Sequence, residues 1–270
     1  MFFDTHAHLQ PFAADGSLPR VVRDAQAAGV GRLCAVGSDP AANAFSLSFA
    51  LDHPGFAVAA VGLDRDQIGQ PADPGLLAEQ AAAPAVAAIG EIGLDYFYSP
   101  ETAKPQRDLF ASMLELALRA GKPVIVHSRD AQEDTLAMLR DYAAGAASRS
   151  PGLPPGILHC FTGSAAFAER LLELGFFISF SGILSFLNAD PLRAAARTIP
   201  ADRLLVETDS PYLAPRPFRG RTNEPRFVVR VAEVLAETRG EPLETIEKLT
   251  TANACRVFRL EPPTRKEPAP

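Results

Sequence analysis

Four of the five histidines in this 270-residue chain stand at the polar ends of apolar runs. His6 and His8 belong to Asp4-Thr5-His6-Ala7-His8, directly behind the apolar start Met1-Phe2-Phe3. Strand side chains alternate with period two, so an H-x-H pair on a strand projects both imidazoles from one face. Two neutral imidazoles close together can hold a divalent metal. Two satisfied or solvent-facing histidines in an N-terminal strand fit these five residues as well, so the rest of the chain must decide.

His127 ends the run Pro123-Val-Ile-Val-His127, and His159 ends Gly156-Ile-Leu-His159. Glu91 follows Val86-Ala-Ala-Ile-Gly90, and Asp209 follows Leu204-Leu-Val-Glu207 by two residues. Taken singly, each has an ordinary reading: Glu91 as a surface acid, the two histidines as core residues bonded to backbone, Asp209 as a helix N-cap before Ser210-Pro211. His53, in Asp52-His53-Pro54-Gly55, reads as loop chemistry and joins none of them.

The elements that must position these groups are short apolar runs alternating with helix-like stretches. Strands are expected at residues 2–6, 32–37, 57–62, 86–90, 123–127, 156–159, 176–180 and 204–207. Helical spacing separates them, as in Leu109, Met113, Leu116 and Ala117, in Leu136, Leu139 and Arg140, and in Phe227, Val231, Val234 and Leu235. Continuous Val/Ile/Ala/Leu runs suit strands buried on both faces of a parallel sheet. Eight βα units in a chain of this length predict an α/β fold, a single (β/α)8 TIM barrel over residues 1–260. An open doubly wound sheet lacks support: no G-x-G-x-x-G follows the first strand and there is no P-loop. Residues 143–155, rich in Ala, Gly, Ser and Pro, are expected as a surface loop, and residues 261–270 as a disordered tail.

Composition narrows the class. At 47% hydrophobic and 21% charged the chain reads as globular, and its net charge of −6 argues against a general nucleic-acid coat. No segment approaches the ~20 apolar residues of a membrane span, and the N-terminus has no pattern of a secretory leader. Cys34, Cys160 and Cys255 are odd in number and widely spaced, which suits reduced packing thiols in a cytoplasmic protein.

In a barrel the strand C-termini converge on one face, and that face carries the active site. His6, His8, Glu91, His127, His159 and Asp209 all fall at or just past such ends. Four imidazoles and two carboxylates exceed the needs of one tetrahedral ion with an open position. They suffice for two: His6, His8 and Asp209 on one metal, His127 and His159 on the other, Glu91 between them. Two ions roughly 3.5–4 Å apart can clamp the attacking and leaving oxygens of an ester and acidify a water. Asp209 is then the candidate general base. Glu207, on the same strand face as Asp209, is either a partner that orients a ligand or a structural ion pair. Mixed nitrogen and oxygen donors suit Zn²⁺ or Mn²⁺ better than Mg²⁺.

These residues stand in contexts that resemble the TatD family of metal-dependent hydrolases. The matching stretches are Asp4-Thr-His-Ala-His8, Gly90-Glu-Ile-Gly-Leu-Asp95-Tyr96, Pro123-Val-Ile-Val-His127-Ser-Arg129 and His159-Cys-Phe-Thr-Gly163. Glu207-Thr-Asp-Ser-Pro-Tyr212-Leu-Ala-Pro215, Arg219-Gly-Arg-Thr-Asn223-Glu-Pro225 and Thr251-Ala-Asn253 continue them in the family's order. The resemblance spans Phe2 to about Phe258 and implies a TIM barrel, the six-ligand metal site and deoxyribonuclease activity, with Mg²⁺ in frequent family use. One departure stands out. Where the family commonly has Gly-[Ile/Leu]-His-Pro, this chain reads Val61-Gly-Leu-Asp64-Arg65, which adds negative charge where a phosphate would approach, offset by Arg65.

For substrate contacts the candidates are Arg129, two past His127, Asp64 and Arg65, and Arg219 and Arg221 in the run that also holds Arg216 and Arg226. Arginine forks suit phosphate, while a solvated loop explains the run equally well. Lys104 and Arg107 are weaker versions of the same idea. Tyr96, Phe97 and Tyr98 suit either stacking on an unpaired base or packing in the core or as a lid. The reading is a cytoplasmic phosphodiesterase acting on single-stranded DNA or DNA ends with two divalent ions. The rivals are hydrolysis of a carboxylic ester or amide, including aminoacyl-tRNA deacylation, and a non-catalytic binding barrel.

Overall fold

A computed structural model describes residues 1–262. Its sheet has eight strands in sequence order: β1 (Phe2–Ala7), β2 (Val30–Val36), β3 (Ala57–Val61), β4 (Val86–Asp95), β5 (Val124–Arg129), β6 (Gly156–Leu158), β7 (Phe177–Phe180) and β8 (Leu204–Val206). Every neighbouring pair from β1–β2 to β7–β8 is parallel. Among the described residues ten α-helices connect and flank them: α1 (Gln10–Ala14), α2 (Leu18–Ala27), α3 (Pro40–Asp52), α4 (Pro74–Ala82), α5 (Ala103–Ala120), α6 (Gln132–Arg149), α7 (Ala165–Glu173), α8 (Asp190–Thr198), α9 (Val228–Arg239) and α10 (Leu243–Phe258). This is the (β/α)8 TIM barrel.

The strands are apolar on both faces because both are covered. One face packs under the helix ring, where Leu33, Ile89, Val126 and Ile178 meet Phe110, Leu139 and Leu235. The other fills the barrel: Phe3, Cys34, Ala60, Ala88, Ile125, Ile157, Phe177 and Leu205 form a second cluster with Val257 and Phe258 of α10. The α10 helix thus plugs the N-terminal end, with the Phe3 and Phe258 rings 5.5 Å apart. Its Asn253 donates to the Ala201 and Leu204 carbonyls at 2.9 Å, pinning the plug to the start of β8. The Thr-Ala-Asn motif is therefore structural.

The seam between β8 and β1 is closed differently. An isolated bridge joins Ala7 to Ser210, and Asp209 N–H donates to the His6 carbonyl at 2.9 Å. The buried Asp4 carboxylate accepts from Thr208 N–H at 2.8 Å and from Thr208 Oγ1 at 2.6 Å. A side chain here does the work of a backbone ladder, and it brings residues 206–210 alongside the His-x-His segment. Asp4→Ala leaves a buried amide without a partner, which costs about 1–3 kcal/mol. We expect a urea midpoint lowered to match, with unchanged slope.

Three expectations shift. The β4 strand runs to Asp95, five residues past the expected end at Gly90, so Glu91 lies within a strand rather than at a loop start. Residues 143–155 are not all loop, since α6 continues to Arg149; its Ala-rich composition favours helix and Tyr142 and Ala143 are buried. Of the expected tail, Glu261 accepts from Arg32 at 2.6 Å, and residues 263–270 lie outside the described residues.

Candidate metal centre

Glu91 reaches the barrel mouth because β4 and β5 slip past each other. Ile89 pairs with Val124 but Ile92 with Val126, so β4 carries one extra residue in that interval. That bulge re-aims a side chain, and the Glu91 N–H donates to the Gly37 carbonyl at the end of β2, 2.8 Å away. Gly93 allows the close approach: at φ +141, a Cβ there would stand 2.0 Å from the His127 carbonyl oxygen.

The side chain of Glu91 lies between two groups of donors. Its Oε2 stands 3.5 Å from His6 Nε2 and 3.4 Å from His8 Nε2. Its Oε1 stands 3.3 Å from His127 Nδ1 and 3.1 Å from His159 Nε2. Asp209 Oδ1 is 3.9 and 3.7 Å from the same His6 and His8 nitrogens. The loop that presents Asp209 is left-handed at that residue, φ +57, a conformation aspartate tolerates better than most. Asn223 fastens it, donating to the Thr208 carbonyl at 2.8 Å and to that of Tyr212. No helix begins at Asp209, so its N-cap reading falls away.

The donor set fits a divalent cation. In each of two groups, His6/His8/Asp209 and Glu91/His127/His159, the ligand atoms lie within 4.8 Å of one another. Two donors about 2.1 Å from a shared ion, at 90–110° to each other, lie about 3.0–3.5 Å apart. The His6 and His8 Nε2 atoms are 3.1 Å apart, and His127 Nδ1 and His159 Nε2 are 3.4 Å apart. Imidazole lone pairs do not converge on one another and on carboxylates at such distances without positive charge among them.

The electrostatics agree. Burial alone would raise Glu91, yet the charge of His159 and hydrogen bonds from His159, His6 and His8 hold it well below the usual carboxylate range. Burial opposes a charge on His159, but Glu91 and Glu207 lift it well above an ordinary imidazole. Burial and then the neighbouring His159 depress His6 to about 4. Asp209 is pushed up to about 7, first of all by burial. Protons and a divalent cation compete for the same lone pairs here.

Glu207 is fully buried. Its Oε1 is 3.2 Å from His159 Nδ1 and accepts from Cys160 N–H at 2.7 Å. A proton kept on Nδ1 by this carboxylate leaves Nε2 free to face Glu91. Asp95 stands in the same relation to His127, with Oδ2 3.3 Å from Nε2. Sequence reasoning quoted Asp95 within a motif and gave it no role; its spacing of two from Gly93 on the same strand was the available signal. Glu207→Gln is expected to weaken metal binding ~10–100-fold, read by competition with a chromogenic chelator.

Around the cluster lies a cavity of about 330 Å³, lined among others by His8, His127, His159, Asp64, Arg65 and Tyr212. Asp64 therefore faces the site. Burial first, then Glu91 and Asp66, raises its carboxyl to about 7. Arg65 is 3.6 Å from Asp95 on the same wall. The other basic candidates do not line this cavity. Arg129 stacks on the Phe97 ring at 3.8 Å, and Arg219 on Phe186 at 4.0 Å. Arg221 and Arg226 line a different cleft, because Phe218 stacks on Phe227 at 4.3 Å and draws the loop outward. Arg226 pairs with Glu224 and Asp24, Arg107 with Asp134 and Lys104 with Asp108.

The barrel is similar to the crystal structure of YjjV, a TatD homologue from Escherichia coli K12. That structure superposes with a TM-score of 0.85 at 30% identity, covering 96% of this chain and 98% of the other. Residues 3–259 match the model of the family described as TatD related DNase, and the chain belongs to that family. It is 49% identical over 181 residues to the uncharacterized metal-dependent hydrolase YcfH of Escherichia coli (strain K12), a match that covers 67% of this chain and 66% of that relative. It is 36% identical over 258 residues to the 3'-5' ssDNA/RNA exonuclease TatD of Edwardsiella piscicida, covering 91% and 94%.

Proposed function

We propose that this chain is a divalent-metal-dependent phosphodiesterase that hydrolyses DNA at single-stranded stretches or ends. His6, His8 and Asp209 would hold one ion and His127 and His159 the other, with Glu91 between them. The observation that carries the reading is the division of the Glu91 oxygens, one toward each imidazole pair. The name of the Edwardsiella relative points to single-stranded nucleic acid as the substrate class.

When bound, such ions draw charge off phosphoryl oxygens and acidify a water; Zn²⁺ and Mn²⁺ suit the imidazole-rich donors, and Mg²⁺ the carboxylates. The chain does the rest. Glu91 fixes the spacing of the two donor groups, while Glu207 and Asp95 hold the His159 and His127 rings in orientation. Asp209 sits on the cavity wall, where its carboxylate can accept the proton of an attacking water. Arg65, on the same wall, is the cation placed to meet a phosphate oxygen.

No helix among the described residues is long and apolar enough to cross a membrane, and the cytoplasm is the proposed compartment. The test is a panel of single-stranded, blunt-duplex and RNA oligonucleotides beside carboxylic esters, amides and an aminoacyl-tRNA, each with Mg²⁺, Mn²⁺ or Zn²⁺. Shortened oligonucleotides are expected. Turnover of the carboxylic substrates alone would move the activity to that class, and fewer than one equivalent of metal after reconstitution would revive a non-catalytic barrel.

A further inference from the structure

The turn after β4 exposes two large aromatic side chains: Phe97 is 54% and Tyr98 66% accessible. Contiguous exposed apolar surface, unlike scattered single side chains, marks interaction sites. Their rings meet edge to face at 5.0 Å and 88°. The guanidinium of Arg129, at the end of β5, lies over both, 3.8 Å from the Phe97 centroid and 4.8 Å from that of Tyr98. Neighbouring Tyr96 points away, its hydroxyl donating to Asp134 at 2.7 Å.

The turn is registered to the metal cluster through one buried carboxylate. Asp95 Oδ1 accepts from the Phe97 and Tyr98 N–H groups at 2.9 and 3.2 Å. Asp95 Oδ2 is the atom beside His127 Nε2, at 3.3 Å. A base stacked on the face of either ring is thereby held at a fixed offset from His127. Cations stand at both edges of the mouth: Arg65 lines the side that follows β2 and β3, among Asp39, Asp64 and Asp66, and Arg129 stands on the β5 side over the two rings.

Resting on the phosphodiesterase reading, we propose that Phe97, Tyr98 and Arg129 form a stacking platform for an unpaired nucleobase next to the scissile phosphate. Every base offers a π-face, so such a platform selects single strands over duplex without reading sequence, and the guanidinium adds cation–π attraction. It thereby supplies a physical cause for single-strand preference.

The chain contains no tryptophan, so Phe97→Trp installs one fluorescent indole at an exposed position. Metal-loaded Phe97→Trp protein, titrated with a hydrolysis-resistant phosphorothioate oligonucleotide, should show quenching that saturates. The same oligonucleotide made abasic throughout should need at least about tenfold more. Phe97→Ala/Tyr98→Ala should bind the intact strand ~10–100-fold more weakly and lose the preference for intact over abasic strand. No quenching together with unaltered affinity in the double variant overturns the platform, even if the protein cleaves DNA. Quenching by a protein that cleaves no nucleic acid keeps the platform as a binding surface and overturns the hydrolytic reading instead.

Discussion

Glu91→Ala protein should fold and lose at least about 10³-fold in kcat/KM on an oligonucleotide. Two effects combine. One carboxylate faces both imidazole pairs, so on the proposed two-ion reading its loss weakens both sites at once and removes what fixes their separation. A single electrostatic contact to a transition state is worth about 10²–10³, and a group shared by two ions exceeds that, at about 1.4 kcal/mol per tenfold. Folding should survive, because a neutral imidazole carries no buried charge that needs the lost carboxylate. Metal content by plasma mass spectrometry should fall from two equivalents to below one. Glu91→Gln separates bridging from charge: its carbonyl oxygen can serve one ion, while its amide turns N–H groups toward the other. Close to one equivalent is expected there. Wild-type cleavage by folded Glu91→Ala would refute the mechanism.

The barrel was legible in the sequence because parallel strands buried on both faces are plain apolar runs, and all eight expected runs overlap observed strands. The cluster was legible for a related reason: polar groups ending such runs must sit at one mouth if the sheet closes. What the sequence hid were contacts without periodicity. Asp4 reads as a neighbour of the His-x-His pair, yet it acts across the seam on Thr208. Asn223 holds the Asp209 loop from fifteen residues away. The arginines after β8 looked like one basic rim; ring stacking and ion pairs instead scatter them over separate surfaces, which no spacing rule anticipates. Phe97 and Tyr98 stayed ambiguous because base stacking and core or lid packing ask for the same residues; their exposure removes the core reading.

The extent of β4 was misjudged for a physical reason that yields the second large effect. The apolar run stops at Gly90, and glycine weakens a strand interior, but Gly90 and Gly93 are where β4 and β5 press together around Glu91. Gly93 pairs with His127 at φ +141, and a Cβ would lie 2.0 Å from that residue's carbonyl oxygen. Gly93→Ala therefore carries backbone strain of about 1–3 kcal/mol and a collision with main chain that no rotamer relieves. Overpacking of this kind adds about 1–3 kcal/mol, so a loss of roughly 4 kcal/mol is expected. For a domain of this size that lowers Tm by about 10 °C, read by calorimetry on metal-free protein so that ion binding contributes nothing. The strands can only yield by separating, which moves Glu91 from His127 and His159. Metal affinity on that side should fall in the same variant, whereas Gly55→Ala, at φ +83 in an open turn with nothing within 4 Å, should show the smaller cost of conformation alone.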